Sequence, residues 1–488
     1  MSTHSNTSVD LEALARQTMM DKGFEPDFPP SAREQLQEIT EHPPSPMTSA
    51  ATDLRHLLWS SIDNDTSRDL DQIEWAEQKA DGSFRVLIGV ADVDALVAKD
   101  TPIDEHAAEQ TTTVYTGVRM FPMLPEELST GLTSLNENAD RAAMVMDFGV
   151  TVEGHLGEFS VYPAVVRNKA QLAYNAVGAW LEGRGPAPAK VAADPDLQKQ
   201  LQLQSKIAQA LKAERFRHGA LALESLETSP VTHNGEIISV ENHQRNLATD
   251  LIEDFMIAAN EVVARTLHDR KVSSIRRIVK TPERWNRIVE LAASKGAKLP
   301  ADPDSKALND FLSAQRAADP DHFPDLSLAV VKLMGPGEYV LERANDTAQG
   351  HFGLAVQDYT HSTAPNRRFA DLVTHRILKA TASGGSNPYS DADLDRIAQN
   401  CTEKEDAARK VQRIMQKRIA AVAMQHRIGD KFDAIVTGVT PKGTFVRTLE
   451  PHAEGILVNP HGADVGDRMN VKLISADPQR GYIDFTRL

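Results

Sequence analysis

Four aspartates, Asp63, Asp65, Asp69 and Asp71, fall within nine residues of the stretch WSSIDNDTSRDLDQIEW, and Arg68 is the one basic residue among them. Neighbouring carboxylates raise the cost of ionising one another, so a folded chain that gathers them needs a compensating cation. A hard divalent ion with oxygen preference meets that need. With residues 69 to 75 extended, Asp69 and Asp71 project to one face, and Asp63 can close over it from the preceding turn. Such a site suits Mg²⁺, which keeps waters and takes substrate phosphates; Mn²⁺ is the alternative.

A calcium loop is the competing reading. Asp63, Asp65, Ser67, Asp69, Asp71 and Glu74 occupy ligand positions one, three, five, seven, nine and twelve of such a loop. Its sixth position requires a glycine able to take positive φ, and here it is Arg68. The residues after Glu74 alternate, turn at Asp81-Gly82 and run on as β-rich chain, a hairpin where a calcium loop would have its exit helix.

The elements that must position these residues divide the chain into three. Residues 10 to 41 read as two short helices: Asp10 caps the first, Gly23 ends it, and Ser31 with Glu34 has capping-box spacing at the second. The Pro- and Ser-rich HPPSPMTSA at 42 to 50 is a linker. From 51 to about 427, strand-like runs (RVLIGVADV, AAMVMDFGVTV, SVYPAVV) come first. Long helical stretches at 195–217, 247–267 and 402–425 follow, a pattern that predicts an α+β fold. Short strands between Gly, Pro and Asp turns at 428–488 predict a small barrel.

Composition sets the bounds. No apolar run is long enough to cross a bilayer, and MSTHSNTSVD lacks the basic start and apolar core of a secretory leader. A single cysteine, Cys401, excludes an internal disulfide framework and a thiolate zinc site and points to a reducing cytoplasm. With 53 Lys plus Arg against 69 Asp plus Glu, the net charge of −16 confines any polyanion contact to local basic stretches. Candidates are Arg276, Arg277 and Lys280; Arg367 and Arg368; and the helical run with Arg409, Lys410, Arg413, Lys417 and Arg418. Such runs are most often solvated faces.

The run SIDNDTSRDLDQIE resembles the acidic signature of the RNB exoribonucleases, the family of bacterial exoribonuclease II and RNase R. VYTGVRMFPMLPEELSTGLTSLNENADRAAMV, LAYNAVGAWLEGRG, DLIEDFMIAAN and HFGLAVQDYTHSTAPNRRFADLVTHRILKA resemble that family's other blocks in the same order, over about residues 51 to 425. The tail KFDAIVTGVTPKGTFVRTLEPHAEGILV resembles the RNA-binding OB-fold barrel that closes these enzymes. The resemblance implies an RNB catalytic domain, a mixed sheet with packed helices, and metal ligation by Asp63, Asp69 and Asp71. It implies Arg367 as the arginine that grips the scissile phosphate, Tyr115 as a base-stacking aromatic, and Tyr174 and Glu253 as holders of the terminal ribose. Without the resemblance, Arg367 could pair structurally with Asp358 or Asp371, Tyr115 could be a core or rim residue, and Glu253 a solvated helix position.

The implied activity is processive 3′→5′ hydrolysis of single-stranded RNA to nucleoside 5′-monophosphates, Mg²⁺-dependent, by a cytoplasmic monomer with a narrow tunnel. Lys442, Phe445, Arg447 and Tyr482 of the barrel would add affinity, or Phe445 could be barrel core. Three departures matter. Gln72 stands where relatives often carry a fourth aspartate, leaving Asp65 as a candidate to compensate. Ala408 falls where relatives often carry an acid in a late helix. About 50 residues, at best helix-turn-helix-like, precede the catalytic region where exoribonuclease II and RNase R have cold-shock barrels, which implies a weaker grip on upstream strand. A catalytically weakened RNA-binding regulator on the same scaffold is the alternative.

Overall fold

The computed structural model describes residues 9–224, 228–233, 236–242, 245–320, 322–346 and 349–488, with the backbone alone for 228–242. Part of the stretch read as lacking a leader lies outside them. Helix α1 (Leu11–Asp21) is capped by the Asp10 carboxylate, which accepts from the Ala13 N–H at 2.9 Å, and gives way to Gly23 at φ 81°. Helix α2 (Pro30–Glu41) corrects the expected capping box: it begins at Pro30 after Pro29, and Ser31 lies inside it. Proline at the first turn loses no helical hydrogen bond and presets φ, so it displaces serine as the start signal.

The central sheet comprises β1 (Thr52–Asp53), β2 (Trp59–Asp63), β3 (Gln72–Gln78), β4 (Phe84–Ala91), β7 (Asp140–Val150) and β8 (Leu156–Ala173). A short hairpin, β5 (Val114–Tyr115) with β6 (Met120–Phe121), stands apart from it. The sheet order is β1-β8-β2-β3-β4-β7, and β8 also pairs with β7, so β8, β2, β3, β4 and β7 form a ring. The 18-residue β8 makes this possible: residues 156–167 pair with β7 and residues 168–173 with β2. Trp59, Ile73, Leu87, Val145, Ala164 and Val166 fill one side of the ring in a cluster to which no helix contributes. The other side, with Ile62, Ala76, Val86, Ile88 and Val90, is covered by helices. Each large apolar side chain buried there stabilises the fold by about 1.5–3 kcal/mol.

The covering helices are α3 (Pro102–Gln110), α4 (Tyr174–Leu181), α5 (Ala189–Ala193), α6 (Pro195–Arg217), α7 (Leu247–Asp269) and α11 (Phe369–Ala382). Helices α8 (Trp285–Ser294), α9 (Ser305–Ala318) and α10 (Phe323–Met334) form a satellite with its own apolar cluster. Strands β9 (Thr228–His233) and β10 (Glu236–Asn242) pair with each other, as do β11 (Ser274–Ile278) and β12 (Glu338–Glu342). The long α12 (Asp391–Gln425) starts eleven residues before the predicted 402, at a Ser390 capping box. A closed barrel follows, built of β13 (Lys431–Thr440), β14 (Gly443–Thr448), β15 (Glu454–Leu457), β16 (Arg468–Asp477) and β17 (Tyr482–Arg487). No helix among the described residues is long and apolar enough to cross a membrane.

Candidate active site

The end of β2 and the start of β3 are neighbours in the ring, so Asp63 and Asp71 meet at one rim. Asp63 Oδ1 accepts from the Asn64 N–H at 2.7 Å and the Ser67 hydroxyl at 2.9 Å. The linking loop is pinned: the Leu70 N–H donates to Ser134 Oγ at 2.9 Å, the Leu135 N–H to the Leu70 carbonyl at 3.0 Å, and the Ala91 N–H to the Asp71 carbonyl at 2.9 Å. Strand β3 then leads into the β4 hairpin, which removes the exit helix that a calcium loop requires. Asp65 is exposed at the tip of the loop, and the leading charges on Asp63 and Asp71 come from Asp69 and Arg367.

Asp71 is buried at 2% exposure. One oxygen accepts from the Asn366 N–H at 3.0 Å and the other from Arg367 Nε at 3.1 Å. Burial pushes its carboxyl up to about 7; Arg367 and the Asn366 N–H oppose this, and Asp69 adds to it. Asp63 is raised for the same first reason, with Asp69 again contributing. The Tyr115 hydroxyl donates to Asp69 Oδ2 at 2.9 Å. Burial and these carboxylates push the Tyr115 phenol up, so it remains a donor.

Arg367 is fixed by backbone. Its carbonyl accepts from the Thr113 N–H at 3.0 Å, and the Phe369 N–H donates to the Thr111 carbonyl at 2.8 Å, binding this segment beside the stretch that leads into Tyr115. Asp371, one of the structural partners considered for Arg367, is taken by Arg368 at 2.8 and 2.9 Å. The Arg367 side chain is 45% exposed, so its unused donors face open space. That space includes a cavity of 220 Å³ lined by Thr112, Tyr115, His361, Arg367, Glu405 and Arg409. Ala408 also borders it, while the acid that faces it from α12 is Glu405, bound to Arg277 at 2.5 and 2.9 Å.

Tyr174 opens α4, and burial followed by the charges of Asp63 and Glu74 raises its phenol. Glu253 lies on α7 at 43% exposure, held with Asp250 by Arg245. Gln72 is buried opposite Val90, and strand alternation puts it with Glu74 and Ala76 on the helix-covered face. Glu74 was read only as a loop position. It is fully buried and pairs across the sheet with Ser60, and among the described residues neither carboxylate oxygen has a hydrogen-bond partner; Ser60 Oγ and Gln204 Oε1 are likewise unsatisfied there.

Among the described residues, the three metal-type ligand atoms within 4.8 Å of one another belong to His268, Glu342 and Asp358, remote from these aspartates in sequence. Buried Arg276 already neutralises Glu342 at 2.6 Å. The aspartates at the ring stand wider apart, yet Asp63 and Asp71 are held above the ordinary carboxylate range by burial, with the charge of Asp69 adding to it. An all-oxygen donor set with surplus negative charge fits a hard divalent cation that brings its own waters. The expected basic patches are largely consumed: Arg277 and Arg409 hold Glu405, Lys280 holds Glu338, and Arg418 binds Thr18 and the Gln479 carbonyl. Arg447 moors the barrel to Asp325 of α10 at 2.9 Å, Phe445 is half-buried, and Lys442 and Tyr482 are exposed.

Residues 51–384 match the RNB domain, and residues 430–488 match the RNase II-type exonuclease C-terminal S1 domain. The chain belongs to the RNB family. Ribonuclease R of Vibrio cholerae is 31% identical over 447 residues, covering 88% of this chain and 53% of that protein. This RNB chain thus spans about half the length of the curated relatives it matches. The structure of Mycoplasma genitalium RNase R in complex with ribose methylated single-stranded RNA superposes with a TM-score of 0.86 at 22% identity, covering 98% of this chain and 78% of that one. A yeast pseudonuclease superposes with a TM-score of 0.72 at 16% identity, covering 95% and 57%. Both likenesses are of fold.

Proposed function

We propose that this RNB chain is a divalent-cation-dependent 3′→5′ exoribonuclease that hydrolyses single-stranded RNA to nucleoside 5′-monophosphates. The observation that carries the reading is Asp71: buried, shared between Arg367 and the Asn366 N–H, and short of positive charge. Asp63, Asp69 and Asp71 would hold Mg²⁺ or Mn²⁺, which supplies an activated water and charge stabilisation at the phosphorus. Arg367 uses one donor on Asp71 and aims its remaining fork at the phosphate being cut, where developing charge strengthens the contact. Tyr115 reaches Asp69 through its hydroxyl and offers its ring to a base, which suits a sequence-tolerant enzyme. Tyr174 and Glu253, on the packed pair α4 and α7, are suited to hold the terminal ribose and so to separate RNA from DNA. A threaded strand would enter singly, and the barrel would lend affinity through Lys442 and Tyr482.

Gln72 favours one other reading. An amide in place of a fourth carboxylate, turned toward the helix-covered face, fits an RNA-binding regulator with weakened catalysis. A labelled oligoribonucleotide incubated with Mg²⁺ or with EDTA decides between them. Mononucleotides released only with metal support the nuclease; an oligomer bound but intact under both conditions overturns it.

A further inference from the structure

The N-terminal helix α1 lies on α12, beside the β5–β6 hairpin. Ala15 and Met19 of α1 and the following Phe24 are buried in one cluster with Val114 and Phe121 of the hairpin and Ala408, Val411 and Met415 of α12. Polar ties fasten the helix at both ends of this contact. Arg418 donates to Thr18 Oγ1 at 2.7 Å, and Lys404 donates to the Gly23 carbonyl at 2.6 Å with its ammonium 5.1 Å from the centre of the Phe24 ring. Val114 and Tyr115 are consecutive residues of β5, so their side chains leave opposite faces. Val114 is fully buried in the cluster, whereas Tyr115 is 42% exposed and bonded to Asp69. The seat of one residue therefore sets the aim of the next. The hairpin has only two residues in each strand, and so short a ribbon needs outside packing to hold one orientation.

We infer that α1 is a positioning element for the substrate path: by closing the apolar seat of Val114 and Phe121 against α12, it fixes Tyr115 over Asp69. The inference rests on the nuclease reading for its functional consequence. Its structural half stands independently. The N-terminal unit is then a working part of the RNA passage, acting from behind the hairpin, and Met19 is a positioning residue that acts through Tyr115.

The test uses the full chain with Met19→Ala, the milder Thr18→Val, the conservative Met19→Leu, and Leu312→Ala as a control from the satellite cluster. Hydrogen exchange without RNA reads the structural half. Amides 112–121 should exchange about tenfold faster in Met19→Ala and less so in Thr18→Val, with barrel amides and Leu312→Ala unchanged there. For a single-stranded oligoribonucleotide with Mg²⁺, KM should rise about tenfold in Met19→Ala with kcat within about twofold, and Met19→Leu should restore it. In a Tyr115→Ala background, Met19→Ala should add nothing further to KM. Unchanged exchange in Met19→Ala and Thr18→Val, or a KM effect that persists in full without Tyr115, overturns the inference. Faster hairpin exchange in a protein that releases no mononucleotides would support the placement of Tyr115 by α1 and overturn the nuclease reading alone.

Discussion

Asp71 immediately precedes β3 and Asp92 immediately follows β4, so two groups of carboxylates sit at the same end of one hairpin, in opposite electrostatic states. Around Asp92 each carboxylate has a cation bound to it. Lys379 binds Asp92 at 3.0 Å and Asp94 at 2.9 Å, while Arg376 binds Asp94 at 2.8 Å, Asp104 at 2.7 Å, the Tyr389 hydroxyl at 2.9 Å and the Val97 carbonyl at 2.7 Å. Burial pushes Asp94 up, but Lys379 and Arg376 outweigh it and hold the carboxyl below its usual range. Around Asp71 one half-exposed arginine faces three aspartates, and the balance goes the other way. Matched charge holds elements together; charge left unmatched inside a pinned loop keeps a place for something that arrives from outside.

The contrast breaks most directly at Asp71. Asp71→Asn keeps the shape and an acceptor for Asn366 but removes the charge. Mononucleotide release should fall by about 10³-fold or more while the oligomer still binds, and Asp94→Asn should keep its rate. A loss of similar size in both variants would erase the distinction.

On the matched side, Arg376→Met leaves buried Asp104 without its cation and Asp94 with Lys379 alone. It should lower unfolding free energy by about 3–5 kcal/mol in denaturant titration, with kcat of the folded fraction unchanged. Arg367→Lys sharpens the other side, because a point charge cannot bridge Asp71 and a phosphate as a planar fork does. A fall in kcat of about 10²-fold, with thermal stability kept, is expected.

The smallest effect concerns pH. Glu74 is raised well above the ordinary glutamate range by burial and then by Asp63, so the folded chain binds a proton that the unfolded chain releases near pH ~4.3. Its stabilising contribution is full below that pH and is lost as pH rises toward the folded value, at up to about 1.4 kcal/mol per pH unit. Glu74→Gln should therefore flatten the fall in Tm between pH 5 and pH 7, and be the more stable protein at pH 7. Parallel Tm–pH curves for the two proteins would contradict this.

Much of the fold is written locally. Helices α6 and α7 follow from apolar periodicity and from caps at Asp194 and Asn246, and the barrel from its turn residues. The aspartates were legible because charge crowding is a property of neighbouring residues, and the family blocks tied Arg367 and Tyr115 to them. What the sequence hid was long-range. Arg376 and Asp94 are 282 positions apart, so the matched network has no local signature. Glu74 fits position twelve of a calcium loop in the sequence, and only the packing of α6 on β3 shows it as a buried strand residue. Glu405 gave no signal because its relation to Arg277 across 128 positions decides which way it faces.

The ring of β8, β2, β3, β4 and β7 has no first or last member. An ordinary sheet can shed its outermost strand and keep the rest, but here the loss of any one strand of the ring deprives at least two others of a neighbour. Heating should leave this hoop whole until it gives way at once, rather than unravelling it from a margin. Because the three aspartates hang from its rim, the arrangement proposed to hold the cation would vanish in that same step, with no intermediate in which the loop wanders while the strands persist.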